Sequence, residues 1–223
     1  YYTADDGTTG TGSKLYVATC NNAICSNGAT IVHVDGSQGY AAGIFNSLGI
    51  GSDGLPVISY SGVDPNDDDG MPGPIAEVKV LKCGTKLCDA GNTITTVQED
   101  ASVSHNIFTP TSIAMGSEGL PILVYLEYTQ SGNRNAIKAA KCRDATCTTF
   151  VITELVHGDL NWPVAHPEIA IGSDGLPIVA YDYAGGLHVV KCGNHACSSG
   201  NTDNVAAFDI RITYFSDIAI GSD

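Results

Sequence analysis

Eight cysteines carry the clearest chemistry in this 223-residue chain. They fall as Cys20/Cys25, Cys83/Cys88, Cys142/Cys147 and Cys192/Cys197, every pair a C-x4-C, with none left over. A zinc site would need two such pairs to converge on one ion. Successive pairs are 63, 59 and 50 residues apart, so each would offer an ion only two thiolates. No His follows a second cysteine, which removes c-type haem attachment. Four local disulfides remain, each closing a short loop and expected to contribute roughly 2 kcal/mol on chain-entropy grounds. Such bonds persist in an oxidising compartment, so the chain is expected to be secreted, extracellular or at a cell surface.

Two further groups could do chemistry. Asp64, Asn66, Asp67, Asp68 and Asp69 supply the hard oxygen ligands that Ca²⁺ takes. Their spacing departs from the EF-hand, because the position that requires Gly holds Asp69 and Gly70 comes one residue late. A solvated acidic loop is the plainer account of that run. The segment 157–166 contains the single tryptophan, Trp162, and ends on His166. Trp162 could stack on a sugar face or anchor a protein partner, or it could cover a seam together with Pro163.

These groups must be positioned by a repeated unit. The phrase Leu48-Gly-Ile-Gly-Ser-Asp-Gly-Leu-Pro-Val-Ile-Ser-Tyr60 returns at Ile113–Tyr125 and Ile169–Tyr181, and its first half again at Ile218–Asp223. Its Gly-Ser-Asp/Glu turns are 65, 56 and 49 residues apart. Such periods mark one supersecondary unit in tandem, each copy using its neighbours to bury its core. Each unit reads as four short strands. A small-residue strand A precedes the turn, and strand B follows it from a Pro, which costs no essential ladder bond at a first position. Strand C alternates into the first cysteine, and strand D is the Thr- and Val-rich segment beyond the second. The turn's serine lacks the G-x-S-x-G spacing of a nucleophile and occurs in every unit, so its role is structural. Asp53 and Asp174 are expected to accept backbone hydrogen bonds there.

Runs of four antiparallel strands at this period predict an all-β fold, a β-propeller of four-stranded antiparallel blades with one C-x4-C disulfide hairpin per blade. The expected division within 1–223 is a leading C–D pair (1–46), blades at 47–110, 111–167 and 168–215, and a trailing A strand at 216–223. The incomplete blade is expected to be completed by a longer chain or by a neighbouring subunit. The pattern resembles secreted bacterial β-propeller repeats, loosely those of the sialidase Asp-box and NHL type. That resemblance implies a fold and leaves activity open. Sialidases hold a substrate carboxylate with an arginine cluster. The arginines here are Arg134, Arg143 and Arg211, and Arg143 falls inside a clasp at the opposite face from Arg134, so a three-arginine site is not expected.

Charge narrows the partners. The formal net charge is −14, which repels phosphate backbones and anionic lipid, so no nucleic acid partner is expected. No apolar run reaches the roughly 20 residues of a membrane helix, so no membrane insertion is expected. In a four-strand blade the variable B–C and D–A connections share one face. That face brings Tyr40, His105, Trp162, His166 and Tyr214, the expected ligand-binding residues. The overall expectation is a non-enzymatic scaffold that binds a glycan or protein through these loops, with Ca²⁺ as the one candidate cofactor. A self-associating structural subunit of an extracellular filament, sheath or surface layer is the alternative, and a sialidase-like glycosidase is given the least weight.

Overall fold

A computed structural model describes residues 2–4, 13–37, 40–64, 75–100, 109–129, 134–158, 164–207 and 217–221. The described part is all-β. The first sheet has three strands, β1 (Tyr2–Ala4), β2 (Lys14–Cys20) and β3 (Ala29–Asp35). The second contains β4 (Ala41–Ile50), β5 (Pro56–Asp64), β6 (Ile75–Lys82) and β7 (Thr93–Asp100). The third contains β8 (Thr111–Met115), β9 (Pro121–Thr129), β10 (Arg134–Cys142) and β11 (Phe150–His157). The fourth contains β12 (Ala165–Ile171), β13 (Pro177–Tyr183), β14 (Gly186–Lys191) and β15 (Thr202–Ala207). Strands follow one another antiparallel in chain order within every sheet. Among the described residues no sheet closes on itself.

The repeated turn explains itself chemically. Gly51, Gly116 and Gly172 each donate their N–H to the Leu carbonyl four residues on, at 2.9 Å. Asp53 and Asp174 accept the N–H of Leu55 and Leu176 at 3.0 Å, as the sequence suggested. The same carboxylates then meet a lysine from the end of strand C. Lys82 Nζ is 2.8 Å from Asp53, Lys191 Nζ is 2.6 Å from Asp174, and Lys141 pairs with Glu118 in the same way. One ion pair therefore ties the A–B turn to the third strand in each of three sheets.

The cysteine clasps repeat just as closely. All four disulfides are formed, with Cα atoms 4.8 Å apart in each. The second cysteine is left-handed in every one, at φ 54°, 55°, 55° and 52°. Its N–H bonds back to the carbonyl of Asn22, Thr85, Asp144 or Asn194 at 3.0–3.2 Å. The side chain of that same residue caps the next N–H, as Asn22 does for Ser26 at 2.9 Å. The strand before each clasp then carries a β-bulge against the strand after it in all four sheets, between Leu15/Tyr16, Val78/Lys79, Ile137/Lys138 and Leu187/His188.

Three buried clusters form the seams between successive sheets. Leu15, Val17, Ile58, Tyr60 and the Cys83–Cys88 clasp join the first to the second. Val57, Val80, Leu123, Tyr125 and the Cys142–Cys147 clasp join the second to the third. Ile122, Val124, Val179, Tyr181 and the Cys192–Cys197 clasp join the third to the fourth. Each of these clasps is thus packed on the preceding sheet and at most 1% exposed, whereas Cys20 and Cys25 are exposed. Burial of these apolar faces is the main stabilising term. The first strands meet edgewise, with β4 beside β8 and β8 beside β12.

The last described strand begins at Thr202. Residues 217–221, read from the sequence as part of a strand, are described and belong to none.

Candidate active site

The adjoining first strands are linked by side chains rather than by a shared ladder. Ser47 lies just before the repeated phrase, and its Oγ accepts the Ile113 N–H at 3.1 Å. Ser112 holds the same position one unit later, and its Oγ accepts the Ile169 N–H at 3.3 Å. In the third unit that position is Glu168, and in the fourth it is Asp217. Carboxyl groups stand where the repeat uses hydroxyls.

Glu168 lines a cavity of about 120 Å³ together with Phe45, Asn46, Pro110, Thr111 and His166. All six come from β4, β8 and β12 or the residue preceding β8, so the cavity sits where the first strands begin. Burial pushes the Glu168 carboxyl above its ordinary pKa; the Ser112 hydroxyl and His166 oppose that rise, and the negative charge of Asp217 adds to it. A carboxyl whose pKa is raised beside a cavity is better placed to donate a proton to a bound molecule.

His166 completes the polar side. Its Nδ1 is 3.0 Å from Asp182 Oδ2, with side chains 20% and 16% exposed. Asp182 Oδ1 is the one buried side-chain N or O atom among the described residues without a hydrogen-bond partner. Thr111 fixes the wall opposite its own strand, donating its hydroxyl to the Phe45 carbonyl at 2.8 Å.

Of the residues singled out from the sequence, His166 lines this cavity and Tyr40 does not. The Tyr40 hydroxyl is 3.1 Å from Glu77 Oε2, and the Lys79 ammonium lies 4.5 Å from its ring centroid. His105, Trp162 and Tyr214 lie outside the described residues, as do Asn66, Asp67, Asp68 and Asp69. Asp64 is described only as the last residue of β5. Among the described residues no three His, Cys, Asp or Glu side chains gather as a metal site. Arg134 opens β10 and Arg143 follows its last residue, while Arg211 is outside the described part. Phe45, Asn46, Glu168 and Asp182 were missed, although Glu168 and Asp217 were legible as acids replacing Ser47 and Ser112.

No protein-family model and no curated protein matches the chain. Among solved structures it is similar to the α-L-arabinofuranosidase Arb93A from Fusarium graminearum in complex with an iminosugar inhibitor, at 13% identity and a TM-score of 0.50. That match covers 74% of this chain and 48% of the other, so this chain spans about half the length of the enzyme it resembles. It is also similar to an endo-arabinase from Bacteroides thetaiotaomicron, at 13% identity and a TM-score of 0.45, over 92% of this chain and 68% of that one. These neighbours are β-propeller proteins, and the likeness to Arb93A is one of fold. The α-L-arabinofuranosidase is a glycosidase, a finding that goes against the expectation of a non-enzymatic scaffold acting by binding or assembly. The acid at the cavity, Glu168, sits inside the repeat, where the sequence reading looked for structure only.

Proposed function

We propose that the protein is a secreted β-propeller glycosidase acting on a neutral, arabinofuranose-type glycan, with Glu168 as its general acid. The propeller reading is supported by four sheets packed in series, with the first strands of the second, third and fourth side by side. Secretion is supported by the four disulfides. The observation that carries the catalytic reading is Glu168 itself: a carboxyl at a cavity wall, its pKa raised chiefly by burial, where two other units carry a serine.

The chemistry follows from two carboxyl groups in two roles. Glu168 gives its proton to the glycosidic oxygen as the bond from that oxygen to the anomeric carbon breaks. A water oxygen bonds to the same carbon, and Asp217, next in the series of equivalent positions, takes the water's proton. The two carboxyls return to their starting states by exchange with solvent. A neutral substrate is favoured because no Lys or Arg stands among the described residues of the cavity wall.

The test is release of arabinose from arabinobiose and from a nitrophenyl arabinofuranoside. Glu168→Gln is expected to lower turnover by about 10²- to 10⁴-fold, the range for loss of a general acid. No turnover by the unsubstituted protein across arabinose-, xylose- and galactose-containing glycans would remove the proposal, as would full activity in Glu168→Gln.

A further inference from the structure

Phe45 and His166 hold the same place in the repeat, three residues before Leu48 and Ile169. Both have left-handed backbone, each at φ 47°. Both sit where the pairing of a first strand slips, between Ile44 and Ser47 in β4 and between Ala165 and Glu168 in β12. A bulky residue with positive φ is strained and persists only when its surroundings hold it. Here the Phe45 carbonyl is held by Thr111, and the Asn46 side-chain amide donates to the Gly43 carbonyl at 2.8 Å.

That strain brings the fold little. Phe45 is 38% exposed and belongs to none of the three buried clusters that join the sheets. It lines the same cavity as Glu168. A held, strained, partly exposed aromatic at a cavity wall has the properties of a contact surface rather than a core residue. A sugar ring offers an apolar C–H face, which an aromatic can cover, and a polar rim of hydroxyls. The cavity has both kinds of wall, with Phe45 and Pro110 on the apolar side and Asn46, Thr111 and His166 on the polar side.

We propose that Phe45 is the platform on which the apolar face of a neutral furanose stacks in this cavity, with His166, oriented by Asp182, bonding one of its hydroxyls. The inference rests on the glycosidase reading and names the residue that selects for an uncharged ring. It predicts that binding, more than proton transfer, depends on Phe45.

The experiment titrates arabinobiose calorimetrically into the Glu168→Gln protein, with and without Phe45→Gly. Glycine adopts the left-handed conformation without penalty, so Phe45→Gly is expected to leave the melting temperature unchanged or raised. Affinity should fall roughly five- to tenfold, the scale of a lost aromatic contact. Phe45→Trp should hold affinity within about threefold, since it keeps a flat face. Unchanged affinity in Phe45→Gly overturns the inference and leaves the glycosidase reading standing. If melting temperature and affinity both fall, Phe45→Leu decides: full affinity with an aliphatic side chain overturns the platform, and weakened affinity supports it. Failure of the Glu168→Gln protein to bind arabinobiose removes both readings together.

Discussion

The Tyr60 hydroxyl donates to Asp35 Oδ2 at 2.6 Å, joining β5 of the second sheet to β3 of the first. The other Asp35 oxygen accepts the Gly36 N–H at 2.8 Å. Burial and the nearby Asp35 charge hold the Tyr60 phenol well above its ordinary pKa, so it remains a donor across the physiological range. Tyr125, one unit on, reaches Gln98 at only 3.4 Å. Removing the hydroxyl by Tyr60→Phe should cost about 1–2 kcal/mol, and Tyr125→Phe less, because a charged acceptor at short range makes the stronger bond. Urea midpoints of the two variants check the order, and equal losses would deny the seam bond its role.

Glu168 sets a pH dependence whose sign can be worked out. Its folded-state pKa is raised, chiefly by burial, so the folded chain binds its proton more tightly than the unfolded chain. Stability attached to this group is present at low pH and is lost as pH rises from the ordinary glutamate value through the raised one. Glu168→Gln escapes that loss. Its melting temperature should exceed that of the unsubstituted protein by a margin that widens toward neutral pH, while turnover collapses.

Asp144 works in the opposite sense. Its carboxylate accepts the hydroxyls of Thr146 and Thr149 at 2.7 Å and the Thr148 and Thr149 N–H groups at 3.0 and 2.9 Å. These bonds, the Thr146 hydroxyl first, hold its pKa below the ordinary value. The stability it contributes is therefore present above the ordinary aspartate pKa and lost as pH falls toward the lowered one. Asp144→Ala should cost about 1 kcal/mol at pH 7, as a lost cap does, and almost nothing in strong acid. Thermal melts at the two pH values test it.

The four disulfides should not reduce together. Cys20 and Cys25 are exposed, whereas the other three clasps are buried beneath the preceding sheet. Under native conditions dithiothreitol followed by alkylation should label Cys20 and Cys25 first, with the remaining six labelled only on unfolding. Peptide mass mapping reads this directly, and simultaneous labelling of all eight would contradict the packing.

Much of the architecture was legible because each unit repeats the same local chemistry. A Gly-Ser-Asp turn followed by Pro, and a C-x4-C between two β-branched runs, fix strand ends through short-range bonds that any copy must make. Asp53 and Asp174 could be assigned from the turn alone. The lysines that meet them, Lys82 and Lys191, could not, since that contact joins residues 29 and 17 positions apart across a sheet. The site was harder still. Attention went to the variable connections, where His166 was expected; the structure instead places it in β12, two residues before Glu168. Phe45 and Glu168 escaped because they belong to the first strands, where regularity suggests packing. The left-handed backbone of Phe45 and the burial of Glu168 are not written in residue type or spacing.

The hydroxyl bridges from Ser47 to Ile113 and from Ser112 to Ile169 have an evolutionary implication. Because these rungs between neighbouring first strands are side-chain bonds, a position such as Ser47 or Ser112 can change its chemistry while the ladders within each sheet stay intact, which leaves the innermost face of the repeat open to variation by very few codons.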